Sequence, residues 1–156
     1  MSDDAISATG IPSADYLAKL GEVAYRVSEL EWAVLDDPHA NHPLVDATKL
    51  FGRSTGQIAT ALASASTGAD KTDPQAHFLR VASMALKDVA FLRNRILHAR
   101  PGIRPDGEVC LLHLRVSGTG ATDSAWIDES YLDHVVRRIG YWAGRLERSS
   151  ARSTSR

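Results

Sequence analysis

Apolar residues recur at helical spacing over three long stretches of this chain. From about Ser13 to Leu35, Tyr16, Leu20, Val23, Val27, Leu30 and Val34 form one stripe, with Ser13 ahead of it as an N-cap. Glu22, Arg26 and Glu29 fall off the stripe and are expected to face water. Asp36-Asp37-Pro38 ends the pattern, because proline disfavours helical backbone in the residue before it. Asp73-Pro74 opens the longest stretch, an N-cap followed by proline at the first helical position. Phe78, Val81, Ala85, Val89, Leu92 and Ile96 then continue the stripe until Pro101-Gly102 stops it. The third stripe, Leu132, Val135, Ile139, Trp142 and Leu146, follows Asp128 as its cap and runs to about Arg148.

Between these lie shorter elements. A loop carrying His39 and His42 leads to a weaker helical stretch over Leu44–Phe51, and Ser54 caps an alanine-rich helix over Thr55–Ala65. Glu108–Val116 is rich in Val and Leu and alternates in part, which reads as a strand. It is bounded by the turns Pro105-Asp106-Gly107 and Ser117–Gly120, and Ala125–Ile127 returns as a second short strand. The pattern predicts a mainly all-α fold: an up-and-down helical bundle over 13–148 with a small β-hairpin before the last helix. Residues 1–12 read as a flexible N-terminus and Ser149–Arg156 as a disordered Ser/Arg tail.

The 156 residues suffice for one domain that buries a core without disulfides or a structural metal. The single cysteine, Cys110, excludes an internal disulfide and a multi-cysteine zinc module; it reads as a small buried hydrophobe rather than a nucleophile. No apolar run is long enough to span a bilayer, and the acidic start MSDDAISATG lacks the basic and apolar regions of a secretion signal, so the expectation is a cytoplasmic protein without a membrane partner.

Charge changes the picture in the second half. Residues 1–92 hold 7 basic and 12 acidic side chains, whereas residues 93–156 hold 11 and 7, and all 11 of those bases are arginine. Arg93, Arg95, Arg100 and Arg104 follow one another with no carboxylate between them. Arginine pairs bidentately with phosphate oxygens, so a solvated basic face and a phosphate-bearing partner are the two readings of this segment.

The densest polar cluster, Arg93-Asn94-Arg95-Ile96-Leu97-His98, closes the central helix. Asn94 and His98 are four apart and share a face. Arg93 stands about 140° around an ideal helix from His98, within reach of the imidazole only if its long side chain swings across a fraying end. A guanidinium, an amide and an imidazole that titrates near neutrality together suit phosphodiester chemistry. The same side chains also suit a structural role, capping the carbonyl end of the helix.

Arg93 to His98 resembles the signature of HEPN domains, an arginine with a polar residue after it and a histidine four to six residues on. The following hairpin and last amphipathic helix are similar to a bacterial, RNase-toxin-like branch of that superfamily. The resemblance implies a metal-independent endoribonuclease without a cofactor, in a toxin or defence setting, acting as a homodimer with two motifs across a cleft. His98 would then be the general acid/base, Arg93 the phosphate clamp and Asn94 the residue that orients His98 or the scissile phosphate. Attack by the RNA 2′-OH would leave a 2′,3′-cyclic phosphate. Glu31, on the first helix, is expected to support a motif side chain, and Arg95, Arg100 and Arg104 to bind RNA. Ala99 follows His98 where such relatives often carry glycine. Many HEPN domains serve without catalysis, so the alternative is a helical module for a protein partner, such as an antitoxin or effector, or for a nucleotide.

Other candidates are bland. His39 and His42, beside Asp36 and Asp37, have metal-ligand chemistry but no third ligand at a firm spacing, and read as a polar loop. His113 reads as a half-buried strand residue and His134 as a solvent-edge residue. Trp126 and Trp142 read as core or interface anchors.

Overall fold

The computed structural model describes residues 10–120 and 122–151. Its elements in chain order are helix α1 (Ala14–Leu35), strands β1 (Asn41–His42) and β2 (Val45–Asp46), helix α2 (Thr55–Ser66), helix α3 (Pro74–Leu97), strands β3 (Arg100–Ile103), β4 (Val109–Val116) and β5 (Thr122–Ile127), and helix α4 (Glu129–Ala151). The protein is mainly helical, with a small three-stranded antiparallel sheet of order β3-β4-β5.

Each helix starts where its cap residue stands. Ser13 Oγ accepts from the Tyr16 amide at 3.1 Å, and Asp73 Oδ1 from Gln75 at 3.0 Å ahead of Pro74. Ser54 and Gln57 form a reciprocal capping box on α2, and Asp128 Oδ1 accepts from Tyr131 at 2.9 Å at the head of α4. Tyr16, Val23, Val27, Leu30 and Val34 of α1 are buried as the stripe requires, while Arg26 pairs with Glu22 and Glu29 on the exposed side.

One apolar cluster draws on all four helices and the sheet, centred on Leu30, Leu62, Phe78, Leu86, Ile127 and Leu132. Helix α3 packs against α2, α4 and α1, and α1 against α4. Ser83 of α3 donates to the Ala59 carbonyl of α2 at 2.8 Å. Helices α3 and α4 run in opposite directions: Arg95 lies over the Tyr131 ring, and Asp88 accepts from Arg138 at 2.6 Å and Trp142 at 2.7 Å. Burial works to raise the Asp88 pKa, but the bonds from Trp142 and Arg138 and the charge of Arg138 outweigh it and hold the carboxyl below its ordinary value.

The sheet is stitched to α1 through Tyr16. Its hydroxyl donates to the Ile127 carbonyl at 2.6 Å and accepts from the Leu111 amide at 3.1 Å, and Leu111 and Ile127 face each other across β4 and β5. Burial pushes the Tyr16 phenol up. Gly107 and Gly120 adopt positive φ in the turns on either side of β4.

Three expectations are corrected. Pro101-Gly102 does not merely stop a helix; it forms the middle of β3, so the hairpin is a three-stranded sheet. Gly102 is tolerated there because a side chain would meet Trp126, whose Cζ3 lies 2.9 Å from the place of a Cβ. Leu44–Phe51 is not an α-helix: β2 is followed by one 3-10 turn over Ala47–Leu50, which Asp46 caps and Gly52 closes at positive φ. Helix α4 does not end at Arg148 but includes Ser149 and Ala151, with Ser149 buried. Gly10, within the span read as an N-terminal arm, lies close to Val109. The remaining terminal residues, 1–9 and 152–156, lie outside the described residues.

Among the described residues, no helix is long and apolar enough to cross a membrane. No three His, Cys, Asp or Glu side chains among them gather as metal ligands. His39 is taken by Asp37 at 2.6 Å, and the His42 side chain lies outside the described residues. Cys110 is buried, and burial pushes its thiol up.

Candidate functional site

Helix α3 ends at His98, which occupies the C-cap with φ -97° and ψ 3° and donates its backbone N–H to the Asn94 carbonyl at 3.0 Å. Two residues later the chain is already in β3, so the last turn of α3 is held against the sheet. Between them lies a cavity of about 330 Å³ lined by Phe91, Asn94, Arg95 and His98 from α3 and by His113, Leu114, Arg115, Asp123 and Ala125 from β4 and β5.

The helical wall follows from the 3.6-residue turn: Phe91, Asn94, Arg95 and His98 are spaced three, one and three, which is one face. The sheet wall follows from alternation. His113 and Arg115 share a face of β4, and their cross-strand partners are Ala125 and Asp123. Four charged or titratable side chains besides His98 thus meet at one opening: Arg95, Arg115, His113 and the carboxylate Asp123. His98 and Asn94 are exposed there, and His113 is half-buried. Arg95 is fixed by stacking, its Cζ 5.5 Å from the Tyr131 ring centre. Burial pushes the Tyr131 phenol up, against the pull of that guanidinium.

The structure separates the expected residues. Asn94, Arg95 and His98 come together. Arg93 is not among the residues lining this cavity; it is half-buried, and its Nε is buried without a hydrogen-bond partner. The rotation of about 140° between Arg93 and His98 is the reason, since α3 stays helical through Leu97. Glu31 accepts a hydrogen bond from Thr55 on α2 and forms no ion pair with Arg93. Arg100 leads β3, with a buried, unpartnered Nε. Arg104 is committed to carboxylates: Glu108 at 3.0 Å, Asp106 at 3.1 Å and Asp128 at 3.5 Å, which fasten the β3–β4 turn to the start of α4.

No family model, curated protein or solved structure matches the chain. The chemistry of the cavity must therefore be argued from its own walls. His113, Arg115 and Asp123 were the residues that spacing alone did not single out. Alternation along β4 groups His113 with Arg115, but only the packing of the sheet shows which face turns to α3.

Proposed function

We propose that the protein is a HEPN-like RNA-binding protein, a metal-independent endoribonuclease built on an up-and-down helical bundle with its sheet inserted before the last helix. The observation that carries the reading is the cavity itself, which sets the exposed imidazole of His98 and the amide of Asn94 opposite His113, beside the guanidinia of Arg95 and Arg115. Two imidazoles and two guanidinia are what an in-line attack on a phosphodiester needs.

In this mechanism His98 takes the proton from the RNA 2′-OH, and the 2′ oxygen attacks the adjacent phosphorus. The bond to the 5′ oxygen breaks, and the protonated His113 returns a proton to that leaving oxygen. The products are a 2′,3′-cyclic phosphate and a 5′-hydroxyl end. Arg95 and Arg115 balance the charge of the pentavalent phosphorus, and Asn94 orients the imidazole or a phosphate oxygen. The clamp passes from Arg93 to Arg95 in this reading, because Arg95 is the motif guanidinium at the cavity wall. A homodimer acting on RNA in a toxin or defence setting accords with the resemblance of Arg93–His98 to the HEPN signature.

The test is RNA cleavage by purified protein in EDTA, read at the new 3′ end. A cyclic phosphate is expected, with cleavage lowered about 10²–10⁴-fold in His98→Ala and His113→Ala, the range for removing a general acid or base. Arg95→Ala is expected to lose more activity than Arg93→Ala. Cleavage that survives His98→Ala, or that leaves a 3′-hydroxyl, overturns the mechanism. A folded wild type that binds RNA without cleaving it identifies a non-catalytic module.

A further inference from the structure

A second basic hollow lies at the opposite end of α3. It measures about 130 Å³ and is lined by His77 and Val81 from α3 and by Arg145, Arg148 and Ser149 from α4. His77 and His98 are 21 residues apart on one helix, which separates the two sites by about 32 Å at 1.5 Å per residue.

No carboxylate lines the hollow, and neither Arg145 nor Arg148 is ion-paired among the described residues. The Arg145 guanidinium is nonetheless held in place. Arg145 lies over Tyr141 and Trp142, with its Cζ 5.9 and 5.6 Å from their ring centres, and donates to the Tyr141 hydroxyl at 3.2 Å. Arg148 folds back along α4 over Gly144, its Nη1 3.3 Å from where a Cβ would stand. A fixed guanidinium loses little freedom when it takes up an anion.

Ser149 is the deciding residue. It is only 4% exposed, and its buried hydroxyl has no hydrogen-bond partner. A buried, unsatisfied hydroxyl is unfavourable unless something bonds it. A helix-end role for Arg145 and Arg148, balancing the carbonyl end of α4, explains neither that hydroxyl nor the histidine beside it.

We propose that this hollow binds a phosphoryl group, gripped by Arg145 and Arg148 beside His77 and completed by the Ser149 hydroxyl, which turns from its closed-off position to bond it. The group is supplied by a nucleic-acid strand or by a free phosphorylated small molecule. The assignment is independent of the His98 reading, since it requires no cleavage.

The experiment is a two-dimensional amide NMR titration of the wild-type protein with inorganic phosphate. Saturable shifts are expected at His77, Arg145, Arg148 and Ser149, unchanged in His98→Ala, and weakened at least tenfold in both Arg148→Gln and Ser149→Ala. In the His98→Ala protein, displacement of phosphate by a 5′-phosphorylated RNA decamer, but not by its 5′-hydroxyl form, assigns the source to a strand end. Displacement by a nucleoside monophosphate ahead of either decamer assigns it to a small molecule. Linear, unsaturable shifts, shifts spread over every exposed arginine, or equal affinity in the two hollow variants overturn the proposal.

Discussion

Tyr16→Phe isolates the link between α1 and the sheet that forms one wall of the His98 cavity. The substitution removes one oxygen and leaves the ring in a site that is 4% exposed, so packing is preserved and only the hydrogen bonds change. Two bonds are lost, at 2.6 Å to the Ile127 carbonyl and at 3.1 Å from the Leu111 amide. At about 1 kcal/mol net for each, the expected destabilisation is about 2 kcal/mol, and more if both backbone groups stay buried without partners. For a chain of this size that lowers Tm by about 4–8 °C. The assay is thermal and urea unfolding by circular dichroism, with the urea slope unchanged because the surface exposed on unfolding is the same. Amide exchange at Leu111 should quicken while that of the α2 core stays slow. A Tm within 1 °C of wild type, with Leu111 still protected, would refute the claim that this hydroxyl joins β4 and β5 to the helices.

Two further outcomes follow from neighbouring contacts. Asp88→Asn is expected to lower stability at pH 7 by about 1 kcal/mol, because the Asp88 side chain is 30% exposed and water screens its pairing with Arg138. Since the folded carboxyl sits below its ordinary value, its contribution is present above about pH 4 and lost as pH falls through the folded pKa, so the two proteins should converge in Tm once the pH lies below that folded value. Gly102→Ala is expected to destabilise by about 1–3 kcal/mol and to shift tryptophan emission, because the new methyl must displace the Trp126 ring. An unchanged spectrum with unchanged stability would show that the methyl fits without displacing the ring.

Helices α1, α3 and α4 are legible in the sequence because each buries one stripe and begins at a capping residue, and both signals are local. Strand β3 is not legible, because Pro101-Gly102 satisfies the requirements of a helix stop and of a strand equally. The choice is made by Leu111 and Cys110 across the ladder, which are distant in sequence. The site divides along the same line. Asn94, Arg95 and His98 share a helical face that counting reveals, whereas the rotation of α3 that leaves Arg93 off the cavity wall is set by packing against α2 and α4. His113 and Arg115 enter only through the orientation of the sheet.

Proline at position 101 has a consequence for self-association. Pro101 stands opposite Leu111, whose amide is turned toward β5 and the Tyr16 hydroxyl, so the proline nitrogen points away from β4 toward the free edge. A strand approaching that edge finds no donor at its centre. The opposite edge, along Thr122–Ile127, keeps its backbone donors. Strand addition along β3 is therefore one donor short, and the edge along β5 is the better template of the two.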